Sequence, residues 1–271
     1  MTEPILPAWS EPFVEGRRDG LERSRPIGSI DRELAFSGSD GSGVTVAIID
    51  SGVDGSHPAV GGRLVASVKV DPGEDGPDVV EDPERLDVVG HGTACAGIIH
   101  GLATGADILS VRVLGPDNRG KGAIFATGLA WAIEHGATVV NLSLSSRSEA
   151  LMGAFHELAD RAYFANVLLV CAASNVPGPS YPSLFASVVS VAAHDLPDSW
   201  TWFYNPRPPV EFGARGVDVE VAWKDGARIV ATGNSFAAPH IAGLAALIRA
   251  KHPMASPFEV KAMLAATANI A

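Results

Sequence analysis

The chain has 271 residues, of which 46% are hydrophobic and 19% charged, so it can bury a large core and is not generally disordered. A formal net charge of −11 without a basic stripe argues against nucleic acid as a partner. The chain lacks the run of about eighteen apolar residues that a membrane span needs. Residues 1–10 lack the pattern of a signal peptide, and Cys95 and Cys171 are expected to be free thiols. These features predict a cytoplasmic protein.

Residues 1–23 are polar and contain prolines, which predicts an N-terminal arm, and residues 24–271 are expected to form one domain. Within this domain, continuous apolar runs typical of strands buried on both faces alternate with helical segments. We expect strands near 44–49, 108–113, 138–144, 167–173 and 187–193. We expect helices near 91–101, 123–135, 149–164, 236–247 and 257–268.

This alternation predicts an α/β fold in three layers, with a mostly parallel central sheet and helices on both faces. Two segments are expected to be irregular. Residues 71–87 are rich in Asp and Glu and are interpreted as a solvated loop, with a bound cation as the less favoured alternative. Residues 195–228 contain several prolines and no clear periodic pattern.

A nearly all-apolar run from Phe236 to Leu247 indicates a helix buried inside the domain. Pro239 lies close to its start, where a missing backbone donor is tolerated although a kink is expected. Ser235 stands at the mouth of this helix and has two interpretations. It is either an N-cap, a common role for serine, or a nucleophile at a helix end that favours negative charge. This segment alone leaves both open.

Asp50, His91 and Ser235 each lie at a glycine-rich junction between regular elements. A hydroxyl becomes a good nucleophile when a base takes its proton, and a carboxylate fixes the tautomer of that base. The chain order Asp, His, Ser is one of three known for this chemistry. Because any chain of this length contains all three residue types, the order gains meaning only from the residues around each position.

Those surrounding residues resemble the subtilisin-like serine peptidases. Three segments carry the resemblance, and they occur in the family's order: Ile48-Ile49-Asp50-Ser51-Gly52-Val53-Asp54, His91-Gly92-Thr93-Ala94-Cys95-Ala96-Gly97 and Gly233-Asn234-Ser235-Phe236-Ala237-Ala238-Pro239-His240-Ile241-Ala242-Gly243. The likeness extends over roughly residues 25 to 268. It implies a subtilisin-like fold and a serine endopeptidase that acts on peptides or proteins and needs no cofactor. The predicted helix runs straight from His91 to Gly101 without the calcium-binding insertion of many secreted relatives, so no metal is expected.

The resemblance also implies a role for individual residues. Asp50 would orient His91, His91 would act as general base and then general acid, and Ser235 would attack the scissile carbonyl. The side-chain amide of Asn175 would hold the oxyanion together with the Ser235 N–H. Substrates of this family pair as an added strand between two edges of the site. The matching edge residues are Asn118, Arg119 and Gly120 on one side, and Leu142, Ser143, Leu144 and Ser145 on the other.

Three positions depart from the family pattern. Ser145 and Ser174 stand where glycine is common, and both would line the pocket for the residue that precedes the scissile bond. Because each serine adds a side chain that glycine lacks, we expect a narrowed pocket. Such a pocket would prefer a small or polar substrate residue before the scissile bond, or it would be closed until part of the protein moves. Asn234 stands where threonine is usual, next to the nucleophile and near the expected oxyanion.

Two further interpretations stay open: a non-catalytic, peptide-binding relative, and a processing peptidase that acts on one dedicated precursor. An esterase of the other common serine class is disfavoured, because the residues around Ser235 lack the second glycine of a nucleophile elbow and the triad order differs. Cys95 and His240 are expected to have packing roles. The sequence carries no indication of an oligomeric state.

Overall fold

The computed structural model describes residues 29–207 and 209–269, so the arm predicted at residues 1–23 lies outside the described residues. The centre of the described part is a nine-stranded sheet, and two short strands form a separate antiparallel pair. In chain order the strands are β1 (Thr45–Asp50), β2 (Leu64–Asp71), β3 (Asp78–Glu81), β4 (Asp107–Arg112), β5 (Val139–Leu142), β6 (Leu168–Ala172), β7 (Val189–His194), β8 (Trp202–Tyr204), β9 (Phe212–Arg215), β10 (Val219–Ala222) and β11 (Arg228–Ala231).

The large sheet has the strand order β3-β2-β4-β1-β5-β6-β7-β9-β8. Every neighbouring pair from β2 to β9 is parallel, and the edge strands β3 and β8 are antiparallel to their neighbours. Strands β2 and β4 lie on one side of β1, whereas β5, β6 and β7 lie on the other. The sheet therefore reverses its winding at β1, and open α/β sheets bind ligands at the carboxyl end of such a strand. Asp50 is the last residue of β1.

Helices cover both faces of the sheet. In the described residues the α-helices are α1 (Arg32–Ala35), α2 (His91–Leu102), α3 (Gly122–Glu134), α4 (Met152–Phe164), α5 (Asn234–Lys251) and α6 (Pro257–Ala266). On one face, α3 and α4 contribute Phe125, Leu129 and Phe155 to a core shared with Ile49 and Leu142. On the other face, α2 and α5 contact each other, and α5 contacts β1, β5, β6, β7 and β9. The predicted three-layer α/β architecture is confirmed.

The central helix α5 follows directly from its sequence. Every residue from Phe236 to Arg249 is buried, as an apolar surface on all sides requires. The helix begins at Asn234, with Gly233 as its N-cap, so Ser235 is its second residue and not its cap. Pro239 lies inside the helix, which continues through it to Lys251. None of the helices in the described part of the chain is long and apolar enough to cross a membrane.

The prediction that residues 195–228 are irregular was wrong. This segment contains β8, β9 and β10, and β11 begins at its end. Each of these strands has only three or four residues, too short for the alternation of side chains to be recognised between prolines. They extend the sheet beyond β7 and form the small antiparallel pair.

The prediction of a solvated acidic loop at residues 71–87 was wrong in part, although most of the segment is exposed or partly exposed. The segment includes β3, which pairs with β2, and β2 itself was not predicted. Two of its carboxylates are buried: Asp82 is 4% exposed and Asp87 is 7% exposed. Buried carboxylates are retained where partners compensate the lost hydration. Asp82 lies 3.1 Å from Nη2 of Arg112, and the partners of Asp87 are described below.

Candidate active site

Three elements bring Asp50, His91 and Ser235 together, although the residues are far apart in the chain. Asp50 ends β1, His91 is the first residue of α2, and Ser235 is the second residue of α5. Nδ1 of His91 lies 2.9 Å from each carboxylate oxygen of Asp50, and Nε2 of His91 lies 3.0 Å from Oγ of Ser235. Asp50 is completely buried, His91 is 7% exposed, and Ser235 is partly exposed. Of these three hydrogen-bonded residues, Ser235 is therefore the most accessible to solvent.

The tautomer of His91 follows from its two partners. Asp50 also accepts a hydrogen bond at Oδ1 from its neighbour's backbone, Ser51 N–H, at 2.7 Å, which fixes the carboxylate. An ionised carboxylate only accepts, so Nδ1 of His91 carries the proton and Nε2 presents a lone pair to the Ser235 hydroxyl. This is the arrangement that a general base requires.

The charge balance around His91 determines the pH at which it can act as a base. Burial opposes the imidazolium, but the adjacent Asp50 carboxylate and the more distant Asp87 carboxylate outweigh burial and raise the pKa of His91 above its ordinary value. We therefore expect kcat/KM to rise with pH through a single transition above about pH 6.5, because only neutral His91 accepts the serine proton. A pH–rate profile from pH 4 to 10 checks this. A transition well below pH 6 would contradict it.

The backbone carbonyl of Ser235 is held by residues outside its own helix. Pro239 stands four residues further along α5 and has no N–H, so it cannot donate the helical hydrogen bond to Ser235 O. Instead, Oγ of Ser143 donates to this carbonyl at 2.7 Å, and Sγ of Cys95 lies 3.8 Å from it. Oγ of Ser143 in turn accepts from Nδ2 of Asn141 at 3.0 Å. The proline thus frees an acceptor that ties the nucleophile to the end of β5.

Asn234 links the nucleophile to the segment that carries Asn175. Its side chain accepts from Ala193 N–H at 2.9 Å and donates to Ala173 O at 3.1 Å and to Ser174 O at 3.3 Å. Its backbone N–H donates to Oδ1 of Asn175 at 2.8 Å, which leaves Nδ2 of Asn175 as the group available to a ligand. Asparagine therefore serves at this position as a bridge between β7, the 173–175 segment and the start of α5.

Nδ2 of Asn175 and Oγ of Ser235 are neighbours in space. A Cβ atom at Gly233 would lie 3.3 Å from Oγ of Ser235 and 3.5 Å from Nδ2 of Asn175. A side chain at Gly233 would therefore contact both the hydroxyl of Ser235 and the amide of Asn175.

The triad opens into a cleft of about 540 Å³. Of the predicted substrate-binding residues, Leu142 does not line it, because its side chain is fully buried in the core on the α3 and α4 face. Ser143 lines the cleft, but its hydroxyl is already bound to Ser235 O. The predicted residues that line the cleft are Asn118, Arg119, Gly120, Ser143, Leu144, Ser145 and Ser174, and they are joined there by His91, Asn175 and Ser235.

A short segment at residues 180–183, which the sequence did not indicate, is hydrogen-bonded to residues that line the cleft. Ser146 and Tyr181 exchange two backbone hydrogen bonds, of 2.8 and 2.7 Å. Oγ of Ser180 accepts from Ser174 N–H at 3.1 Å and lies 2.7 Å from Oγ of Ser183. Two of the segments that line the cleft, 143–146 and 172–176, are thereby tied to the same short segment.

Cys95 and His240 have the packing roles expected for them. Sγ of Cys95 lies 3.2 Å from Oγ of Ser143 and 3.9 Å from Oδ2 of Asp50. Burial and the Asp50 charge raise the pKa of the Cys95 thiol well above its ordinary value, so it stays protonated. Nδ1 of His240 lies 2.9 Å from Phe236 O and Nε2 lies 3.3 Å from Oγ of Ser199. Burial lowers the pKa of His240 to about 4, which keeps it neutral.

Solved and characterised proteins share this architecture. The structure matches that of a cold-adapted subtilisin-like serine proteinase with a TM-score of 0.68 and 30% sequence identity, over 84% of this chain and 82% of that one. Subtilisin BL from Lederbergia lenta is 34% identical over 86% of both chains. Thermitase from Thermoactinomyces vulgaris is 29% identical over 96% of this chain and 91% of its own length. For the thermostable alkaline protease of Halalkalibacterium halodurans the identity is 33%, and the chain spans 63% of that relative's length.

The fold, together with these relatives, defines the chain as a serine endopeptidase. The family model of the subtilases matches residues 41–271. The chain therefore belongs to the subtilase family, as its three sequence segments predicted.

Proposed function

We propose that this chain hydrolyses peptide bonds through an acyl-enzyme formed on Ser235. His91 acts as general base and then as general acid, and Asp50 orients it. The observation that best supports this is the continuous hydrogen-bonded line from the Asp50 carboxylate through both ring nitrogens of His91 to Oγ of Ser235, with heavy-atom distances of 2.9 and 3.0 Å. Such distances are within the reach that a proton transfer requires.

The steps follow from these contacts. Oγ of Ser235 attacks the scissile carbonyl carbon while its proton moves to Nε2 of His91, and the carbonyl oxygen becomes an oxyanion. When this intermediate collapses, the C–N bond breaks and the Nε2 proton passes to the leaving amine. A water molecule then attacks the acyl-serine by the same route, releasing the acid and restoring the Ser235 hydroxyl. Throughout, the Nδ1 proton stays on His91, hydrogen-bonded to Asp50.

Asn175 is proposed to stabilise the oxyanion together with the Ser235 N–H. Its Nδ2 group is oriented by the hydrogen bond that its Oδ1 accepts from Asn234 N–H. A donor fixed before the reaction costs no reorganisation when negative charge develops on the carbonyl oxygen. Residues 118–120 and 143–145 are proposed to bind the substrate backbone on the two sides of the cleft, because both lie on its walls.

The unbroken hydrogen bonding from Asp50 through His91 to Ser235 argues against the alternative that this chain is a non-catalytic, peptide-binding member of the family. The test is turnover of casein and of internally quenched peptides by the purified chain, with the new termini identified by mass spectrometry. We expect internal cleavage by the wild type. A folded wild type that binds peptides without cleaving them would favour the binding module instead.

The pocket beside Ser235 is proposed to select a small or polar residue before the scissile bond. Ser145 and Ser174 both line the cleft and occupy space that glycine would leave open. In a peptide library varied at this position, we expect Ala, Ser and similar residues to be preferred, and the double variant Ser145→Gly, Ser174→Gly to accept larger residues. A wild-type preference for large aromatic residues would contradict this.

The narrowed pocket also supports the more specific proposal of a processing peptidase with one dedicated substrate. The same library addresses it. Cleavage of a small set of related sequences would support a dedicated substrate, whereas efficient cleavage of most sequences would refute it.

A further inference from the structure

Asp87 is a buried carboxylate that lies outside the triad but connects two of its members. It stands four residues before His91, in the turn that leads into α2, and is 7% exposed. Oδ1 of Asp87 accepts from Ser51 Oγ at 2.8 Å, from Val89 N–H at 3.0 Å and from Gly90 N–H at 2.7 Å. Ser51 directly follows Asp50. One oxygen therefore joins the segment of the triad aspartate to the turn that precedes the triad histidine.

The second oxygen of Asp87 caps the helix that begins with His91. Oδ2 accepts from the backbone N–H of Thr93 at 2.8 Å and from its hydroxyl at 2.7 Å. The N-cap residue of α2 is Gly90, which has no side chain to cap the first turn. Asp87 supplies the missing acceptor, and its negative charge is favourable at a helix N-terminus. The start of α2, and with it His91, is thus held from outside the helix.

Around Asp87, the backbone segments at Gly52 and Gly92 pack so closely that neither position has room for a side chain. Gly52 has a φ of +103°, and a Cβ there would lie 2.1 Å from Leu86 O. A Cβ at Gly92 would lie 2.0 Å from Gly52 O. Oγ of Ser51 also accepts from Gly92 N–H at 3.2 Å. The loop after β1, the residues before Asp87 and the first turn of α2 therefore form one tight contact around the Asp87 carboxylate.

We propose that Asp87 is a positioning residue for the triad: it sets the place of His91 relative to Asp50 and provides a second negative charge behind the histidine. This rests on the proposed function of His91 as the general base. This role differs from a purely structural one, because the negative charge of Asp87 acts on His91 in addition to the hydrogen bonds that Asp87 accepts. The Asp87 carboxylate is one of the causes that raise the pKa of His91.

Several groups face His91 and have to be considered in a test by pH. Asp50 approaches from β1 and Asp87 from the turn before α2, and both favour the imidazolium. Among the described residues, Cys95 on α2 itself and Ser235 and Phe236 on α5 also lie near the ring, and none of these three is a carboxylate. Arg119 is a charged residue that lines the same cleft as His91. Removing the Asp87 charge should therefore shift the titration of His91 downward.

The test replaces Asp87 with its neutral isostere, Asp87→Asn. The fraction of competent sites is titrated with a fluorophosphonate, and kcat, KM and the pH profile of kcat/KM are measured per competent site. We expect kcat to fall roughly ten- to a hundredfold, because small misplacements of a catalytic group have effects of this size. KM should stay within about twofold, and the acidic limb of the profile should move to lower pH. An unmoved acidic limb, or a kcat per competent site equal to that of the wild type, would overturn the proposal.

A matched control distinguishes the effect of removing the Asp87 charge from the effect of removing a buried carboxylate elsewhere. Asp82→Asn changes another buried carboxylate of the same acidic segment, one whose ion-pair partner is Arg112 on β4. It should leave kcat per site and the acidic limb unchanged, and an equal shift in both variants would overturn the proposal. If Asp87→Asn does not fold, Ser51→Ala removes one Asp87 contact, and a kcat per site unchanged from the wild type would then overturn it. A wild type without turnover would instead refute the proposed function itself.

Discussion

Replacing Ser235 with alanine is expected to lower kcat by about six orders of magnitude, the size known for loss of the nucleophile in subtilisin. Among the described residues, Ser235 supplies the hydroxyl that is hydrogen-bonded to Nε2 of His91, so its loss leaves the base without a nucleophile. Binding should survive, since the cleft walls and the Asn175 amide are unchanged. The measurement is kcat for an internally quenched peptide, with KM or an inhibition constant as the readout of binding.

The control for this variant is Ser148→Ala. Ser148 is exposed, and its side chain makes no capping hydrogen bond to the helical turn that follows it. It should keep wild-type kcat and KM. A Ser235→Ala protein that retains more than about one thousandth of the wild-type kcat would show that the reaction does not pass through a covalent bond to this serine.

Replacing Asp50 with asparagine is expected to lower kcat by about four orders of magnitude while the fold is retained. Oδ1 of Asp50 is held by Ser51 N–H at 2.7 Å, so an asparagine would keep its oxygen there and turn its NH₂ group toward Nδ1 of His91. An amide donor at Nδ1 drives the ring proton to Nε2, where it blocks acceptance of the Ser235 proton. The variant should therefore fail through the wrong tautomer and not through lost packing.

Two measurements check this explanation for Asp50→Asn. The thermal midpoint should stay near that of the wild type, and the rate of fluorophosphonate labelling at Ser235 should fall together with kcat. The variant Asp82→Asn, which removes a buried charge just after β3, should label at the wild-type rate. A loss of less than about tenfold for Asp50→Asn would contradict the proposed role of Asp50.

The strands and helices that build the centre of the fold could be predicted from the sequence because they are long and apolar. The β-branched run that became β1 and the all-apolar run that became α5 have no other stable place than a buried layer. Strands β2 and β3 and the short strands after β7 were missed. Their stability comes from pairing with neighbours that are distant in the chain, and such neighbours leave no local periodic pattern.

The candidate catalytic residues stood out in the sequence for a different reason. Asp50, His91 and Ser235 each stand within a segment that resembles one family, and that resemblance also implies the role of Asn175. In the structure, His91, Asn175 and Ser235 line one cleft, and the buried Asp50 carboxylate lies behind His91. Their distances from one another could not be predicted, since they depend on the strand order of the sheet. The same limit explains Leu142, which was placed in the matching edge because nothing in the sequence indicated that its side chain points into the core.

The supporting residues were the hardest to predict. Asp87 lies among many acidic residues, and its burial follows only from the donors that α2 and Ser51 present to it. The bond from Ser143 to the Ser235 carbonyl depends on Pro239, whose missing N–H was expected to kink the helix. The missing N–H of Pro239 also leaves the Ser235 carbonyl as a free acceptor beneath the nucleophile. Such effects arise between elements, because an acceptor that one residue leaves free is bound by a donor from another element.

The claim that Ser235 is the nucleophile of a serine endopeptidase is tested most directly by locating a covalent adduct. The wild-type chain is incubated with a fluorophosphonate, digested and mapped by mass spectrometry, with Ser235→Ala treated in parallel. We predict one adduct, on Ser235, which forms faster as the pH rises through the His91 transition and is absent from the variant. Folded wild-type protein without an adduct, or with its adduct on another residue, would contradict this account.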